Sequence, residues 1–174
     1  MPVYGRAGGG VASGNWVANE GVRRAGVRGE QLAARVLEDW AARTGAAVIH
    51  DVLVPHPKFT FNVDHVCIFG TQVLLIDAKL WRPGFFWTFG GHSRRGFESF
   101  PYADKQTMAL AVECFGRTLA WAKPRFDLPI VAVFPTDTSK PLRTWALRVP
   151  GARVAQGPDL ARKLPRHVAA PHGR

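Results

Sequence analysis

NVDHVCIFGTQVLLIDAKLW, residues 62 to 81, reads as two extended runs that meet at a tight turn. Asn62 to Phe69 and Gln72 to Trp81 are rich in β-branched and aliphatic side chains. Gly70-Thr71 between them puts glycine at the first central position, where a type II′ hairpin turn needs a positive φ. Pairing Phe69 with Gln72 carries the register back to Asp64 directly across from Asp77. Cross-strand Cβ atoms lie about 4.5 to 5.5 Å apart, and like charges at that distance destabilise a sheet unless something neutralises them. A divalent cation does so, because Mg²⁺ accepts hard carboxylate oxygens and completes its shell with water or phosphate. Lys79 follows Asp77 by two residues, so the strand period of two puts its ammonium on the same face. His65 alternates to the opposite face and reads as a packed or orienting histidine.

On the N-terminal side, Ala46 to Val54 is a further strand ending at Pro55. Before it, Glu20 to Arg43 has helical spacing, with Ala33, Val36, Leu37, Trp40 and Ala41 on one apolar arc and Gly45 as the stop. Glu30 falls within that arc, and a core-facing carboxylate must pair, bind metal or take up a proton. On the C-terminal side, Pro83 to Phe100 suggests a hairpin with an exposed basic tip. Residues 103 to 121 return to helical spacing through Met108, Val112, Phe115 and Leu119. Strands at 128 to 134 and 145 to 149 and a short helix at 159 to 164 complete the pattern. The fold class is α/β or α+β, with a central mixed β-sheet flanked by helices. Residues 1–19 read as a flexible leader, 20–164 as one domain and 165–174 as a basic tail.

Charge points to a polyanionic partner. Among 174 residues, 23 Lys and Arg face 13 Asp and Glu, a formal +10. Eight basic residues and one acid lie between Lys140 and Arg174, so most of the excess is C-terminal. The longest unbroken aliphatic run, Val73 to Ile76, is far short of the roughly 18 residues of a spanning helix, and the N-terminus has no apolar signal core. Cys67 and Cys114 are too few for a disulfide framework and read as buried thiols of a cytoplasmic protein. Neither zinc spacing, a Walker loop nor GxSxG is present. Trp81, Phe85, Phe86 and Trp87 read as core or sheet-face residues in preference to base-stacking ones.

Gly29-Glu30 in the amphipathic helix, Val63-Asp64-His65-Val66 in one strand and Ile76-Asp77-Ala78-Lys79 with Trp81 in the next resemble the nuclease-related domain, NERD. That family is a branch of the restriction-endonuclease-like PD-(D/E)XK nucleases, and the resemblance covers roughly Gly26 to Val149. It implies a restriction-endonuclease-like core in which Asp64 and Asp77, with the Ala78 carbonyl, hold Mg²⁺ or a substituting Mn²⁺. It further implies that Lys79 orients the attacking water and that Glu30 completes the acidic metal cluster. The family often has a Pro followed three residues later by Gln at a helix start; here Pro101 is followed by Asp104, Lys105 and then Gln106. Gln106 is the candidate for that place and Lys105 its rival.

The expected activity is Mg²⁺-dependent hydrolysis of DNA phosphodiesters, with a catalytically weak nucleic-acid-binding module of the same fold as the alternative. DNA is the expected partner and no membrane is; protein partners and a homo-oligomer are left open.

Overall fold

The computed structural model describes residues 2–9 and 20–165. Its first long element, α1 (Glu20–Thr44), lays Ala33, Leu37, Trp40 and Ala41 against a sheet. Gly45, at φ +74, accommodates the left-handed turn that ends it. The sheet holds β1 (Val3–Tyr4), β2 (Ala47–Leu53), β3 (Asn62–Phe69), β4 (Gln72–Trp81), β9 (Ile130–Pro135) and β11 (Arg153–Gln156) in the order β1-β2-β3-β4-β9-β11. The two-residue β8 (Arg125–Phe126) lies beside the start of β4. β2, β3 and β4 are antiparallel neighbours, whereas β4, β9 and β11 run parallel, so the sheet is mixed as expected. One face meets α1 and α3 (Gly157–Lys163) through Leu74, Ile76, Ala132 and Leu160. The other meets α2 (Thr107–Thr118) through Val66, Leu75, Met108 and Ala111.

The β3–β4 turn matches its sequence signature: Phe69 pairs with Gln72, and Gly70 has φ +62. Elsewhere long-range pairing overrode local signals. The chain builds a second, four-stranded sheet, β10-β5-β6-β7, from β5 (Gly84–Phe89), β6 (His92–Arg95), β7 (Glu98–Ser99) and β10 (Leu142–Ala146). β10 lies three residues earlier than expected because it pairs in parallel with β5, Leu142 opposite Gly84. The β5–β6 tip is Gly90-Gly91, and the basic residues lie along β6. α2 is shorter than its apolar spacing suggested, being preceded by a 3₁₀ turn at Pro101–Asp104.

The leader expectation fails for the part that is described. Val3 and Tyr4 pair in parallel with Val48 and Ile49, and Gly8 is buried. Residues 10–19 lie outside the described residues, as does all of the basic tail beyond Pro165, whose carbonyl accepts a 2.8 Å hydrogen bond from the Trp40 indole. Cys67 and Cys114 are free and buried. No helix among the described residues is long and apolar enough to cross a membrane.

Candidate active site

The β3–β4 ladder stops at His65 opposite Ile76, one pair short of the two aspartates, and β4 turns to β9 for its partners from Ile76 onward. Asp64 and Asp77 therefore stand where two strands part. In place of a ladder bond, Ala78 N–H donates to Asp64 Oδ2 at 2.6 Å. Lys79, two residues beyond Asp77, brings its Nζ to 2.6 Å from Asp77 Oδ1. The Lys79 side chain keeps 42% exposure, against 20% for Asp77, so the pair opens toward solvent.

Two repelling carboxylates and one ammonium share this opening, and their protonation energetics show it. Burial pushes the Asp64 carboxyl well above the ordinary carboxylate range, and the Asp77 charge pushes the same way. Burial disfavours the charge on Lys79, yet Asp77 and Asp64 outweigh it and hold the ammonium above its ordinary pKa.

Glu30 approaches from α1. It is buried at 4% exposure, and its Oε2 accepts a 2.7 Å hydrogen bond from Gly8 N–H. Burial raises its pKa, the Gly8 bond opposes that rise, and Asp51 adds repulsion. Gly29 makes this approach possible: a Cβ there would lie 3.3 Å from Leu80 N and 3.5 Å from Lys79 C. The middle of α1 is thus seated on the backbone that carries the lysine.

A three-carboxylate metal set is not assembled. Among the described residues no group of three Asp, Glu, His or Cys side chains is arranged to hold an ion. The reason is that Glu30 belongs to a helix on the opposite side of β4 and is engaged by Gly8. Asp64 and Asp77 alone still suit Mg²⁺, which characteristically takes one or two protein carboxylates and leaves its other positions to water and phosphate. Gln106 precedes α2 and is exposed, lying beside Phe59, Phe61 and Leu110. Lys105 lies with its Nζ 5.5 Å from the Tyr102 ring centre. Among the described residues, neither makes a hydrogen bond or ion pair to Glu30, Asp64, Asp77 or Lys79.

Two features near these residues escaped sequence reading. Asp51 would oppose Asp64 in the β2–β3 ladder, but that pair is skipped: the ladder passes from His50↔His65 to Val52↔Val63, and Asp51 has φ +55. Behind the aspartates, His65 is fully buried, with its Nδ1 2.8 Å from His50 Nδ1, and His50 Nε2 is 3.0 Å from Glu38 Oε1. Burial and His50 lower the His65 pKa to about 3, so its ring is neutral. This bears out the packed histidine.

A family model described as "Nuclease-related domain", NERD, matches residues 25–129. Searches among curated proteins and among solved structures return no significant match. The matched span contains Gly29, Glu30, Asp64, Asp77 and Lys79 and extends over more than half the chain, and on that ground the chain belongs to the nuclease-related domain family.

Proposed function

We propose that this chain is a metal-dependent nuclease of the PD-(D/E)XK type that hydrolyses DNA phosphodiester bonds. The observation that supports it most is the Lys79 ammonium 2.6 Å from Asp77, beside a second carboxylate, Asp64, at a solvent-facing divergence of two strands. Asp64 and Asp77, with the Ala78 carbonyl, would hold Mg²⁺, which when bound polarises the phosphate and acidifies a coordinated water. Lys79 orients the attacking water and offsets the negative charge that develops on the phosphate. Glu30 acts from behind as a buried negative charge that favours the charged form of Lys79. Gln106 remains the candidate for a substrate contact at the start of α2, with Lys105 as its rival.

A binding module without turnover would share the basic surface. It would have no use for a carboxylate, Asp64, whose pKa is raised first by burial and then by the neighbouring Asp77 charge, because burying and crowding these acids costs stability without aiding phosphate binding. The test is incubation with linear, nicked, branched and single-stranded DNA, with and without Mg²⁺ or Mn²⁺. Cleavage that requires the metal and disappears in Asp77→Ala supports the proposal. Intact DNA in every arm, with DNA binding retained, establishes the binding module. In parallel, Gln106→Ala and Lys105→Ala decide between those two positions by which one lowers turnover.

A further inference from the structure

The second sheet buries one face and leaves the other open. Phe86, Ser93, Leu142 and Thr144 point inward and are buried, with Phe86 packed against Trp81 and Phe100. Strand alternation sends Phe85, Trp87 and Phe89 of β5 outward, with His92 opposite Phe89 and Arg94 opposite Trp87 on β6. Arg143 and Trp145 of β10 join them, and the Phe85 and Trp145 rings lie 5.3 Å apart. Phe89 is 79% exposed and Trp145 75%. The Trp87 indole N–H is fixed by the Gly96 carbonyl at 2.8 Å, and the Arg94 guanidinium lies 6.0 Å from its ring centre.

The charge on this face has one sign. The four strands contain a single acid, Glu98, which stands opposite Arg95 and is bound to its guanidinium at 2.6 Å. Beyond Trp145, at the edge of the sheet, lies a groove of about 500 Å³ in which Arg148, Arg153 and Lys163, the last donating to the Val154 carbonyl, stand among apolar residues such as Leu128, Leu147 and Val149. The one carboxylate lining it, Asp159, is engaged by Arg162. Much of the C-terminal charge excess is thereby placed beside exposed rings.

We propose that this outer face is a stacking platform for single-stranded nucleic acid, with bases on Trp145, Phe85 and Phe89 and phosphates on Arg143, Arg94 and the adjoining groove. Sequence-tolerant single-strand binding combines these two elements, aromatic faces for bases and a cationic track for the backbone. A duplex hides its base faces in its own stack and cannot use the rings. The unbalanced positive charge of the face and of the adjoining groove complements a phosphate backbone. The platform lies on the face turned away from Trp81 and stands independently of the proposed catalysis.

Fluorescence anisotropy with a labelled oligothymidylate in EDTA tests it, because chelation removes cleavage and reads binding alone. The wild type should prefer the oligothymidylate to a hairpin duplex. Phe89→Ala and Trp145→Ala should each weaken single-strand binding about tenfold, with unchanged thermal melts since both side chains are exposed. Arg143→Gln should make the logarithmic salt dependence shallower by about 0.7. Wild-type affinity in both aromatic variants would overturn the proposal, as would equal or tighter duplex binding. So would variants that leave oligonucleotide binding intact while abolishing binding to phosphatidylglycerol vesicles or converting a dimer to a monomer in sedimentation.

Discussion

Asp64 accepts at Oδ2 the N–H of Ala78, the residue that separates Asp77 from Lys79. One carboxylate is thereby tied to the strand that carries the other, although the backbone ladder between those strands has already ended. The hydrogen bond opposes repulsion from Asp77, which burial leaves poorly screened.

Asp77→Ala is expected to abolish cleavage without unfolding the protein. The substitution breaks the ion pair with Lys79 but also relieves the repulsion on Asp64, so the melting temperature in EDTA should stay level or rise. Melting curves with and without Mg²⁺, alongside a cleavage assay, check both halves. Retained cleavage would refute the site.

Lys79→Met keeps most of the stem and loses the charge. Mg²⁺ affinity by calorimetry should survive while turnover falls by orders of magnitude. With its counter-charge gone, the aspartate pair should lower the metal-free melting temperature, and added Mg²⁺ should restore more of it than in the wild type. A wild-type rate would exclude a catalytic role for the lysine.

Gly29→Ala tests how tightly α1 is seated on β4. Alanine gains roughly 1 kcal/mol in helix propensity, but its Cβ would meet the backbone of a central strand at 3.3 Å, which cannot yield as a flexible side chain would. Overpacking typically costs about 1 to 3 kcal/mol. A net destabilisation on the order of 1 kcal/mol is expected in denaturant titration, with a loss of turnover because Lys79 moves with the strand. A more stable, fully active variant would contradict the close fit.

His65 supplies a pH signature. Its folded pKa of about 3 lies below the ordinary histidine value of 6.5, so between these values the unfolded chain takes up a proton that the folded chain refuses. The stability it contributes is present above the unfolded value and is lost as pH falls, by about 1.4 kcal/mol per unit. Asp64 and Glu30, with raised pKa values, slope the other way, being most favourable below their unfolded values. The difference between wild type and His65→Met is therefore the measurement. Chemical denaturation from pH 7 to about pH 5 should show the wild type losing stability relative to the variant, and parallel curves would show that His65 is not held neutral.

Asp64, Asp77 and Lys79 were legible in the sequence because their relation is local. A two-residue turn with glycine at the position of positive φ sets one register, and the strand period of two then assigns faces. Glu30 announced itself as a carboxylate in an apolar arc, but its partner could not be read: Gly8 reaches it from a segment whose glycines and small residues carry no periodic signal. The His50–His65 pair depends on a β2–β3 register set across an irregular connection, from Val54 to Phe61, with two prolines. The second sheet depends still more on tertiary structure, since β10 finds β5 in parallel far along the chain and takes its boundaries from that partner and not from its own apolar residues. Local turn chemistry and alternation determine a hairpin; parallel pairing, helix seating and buried polar partners are decided only when the whole chain closes, because their energy comes from surfaces that no short window of sequence contains.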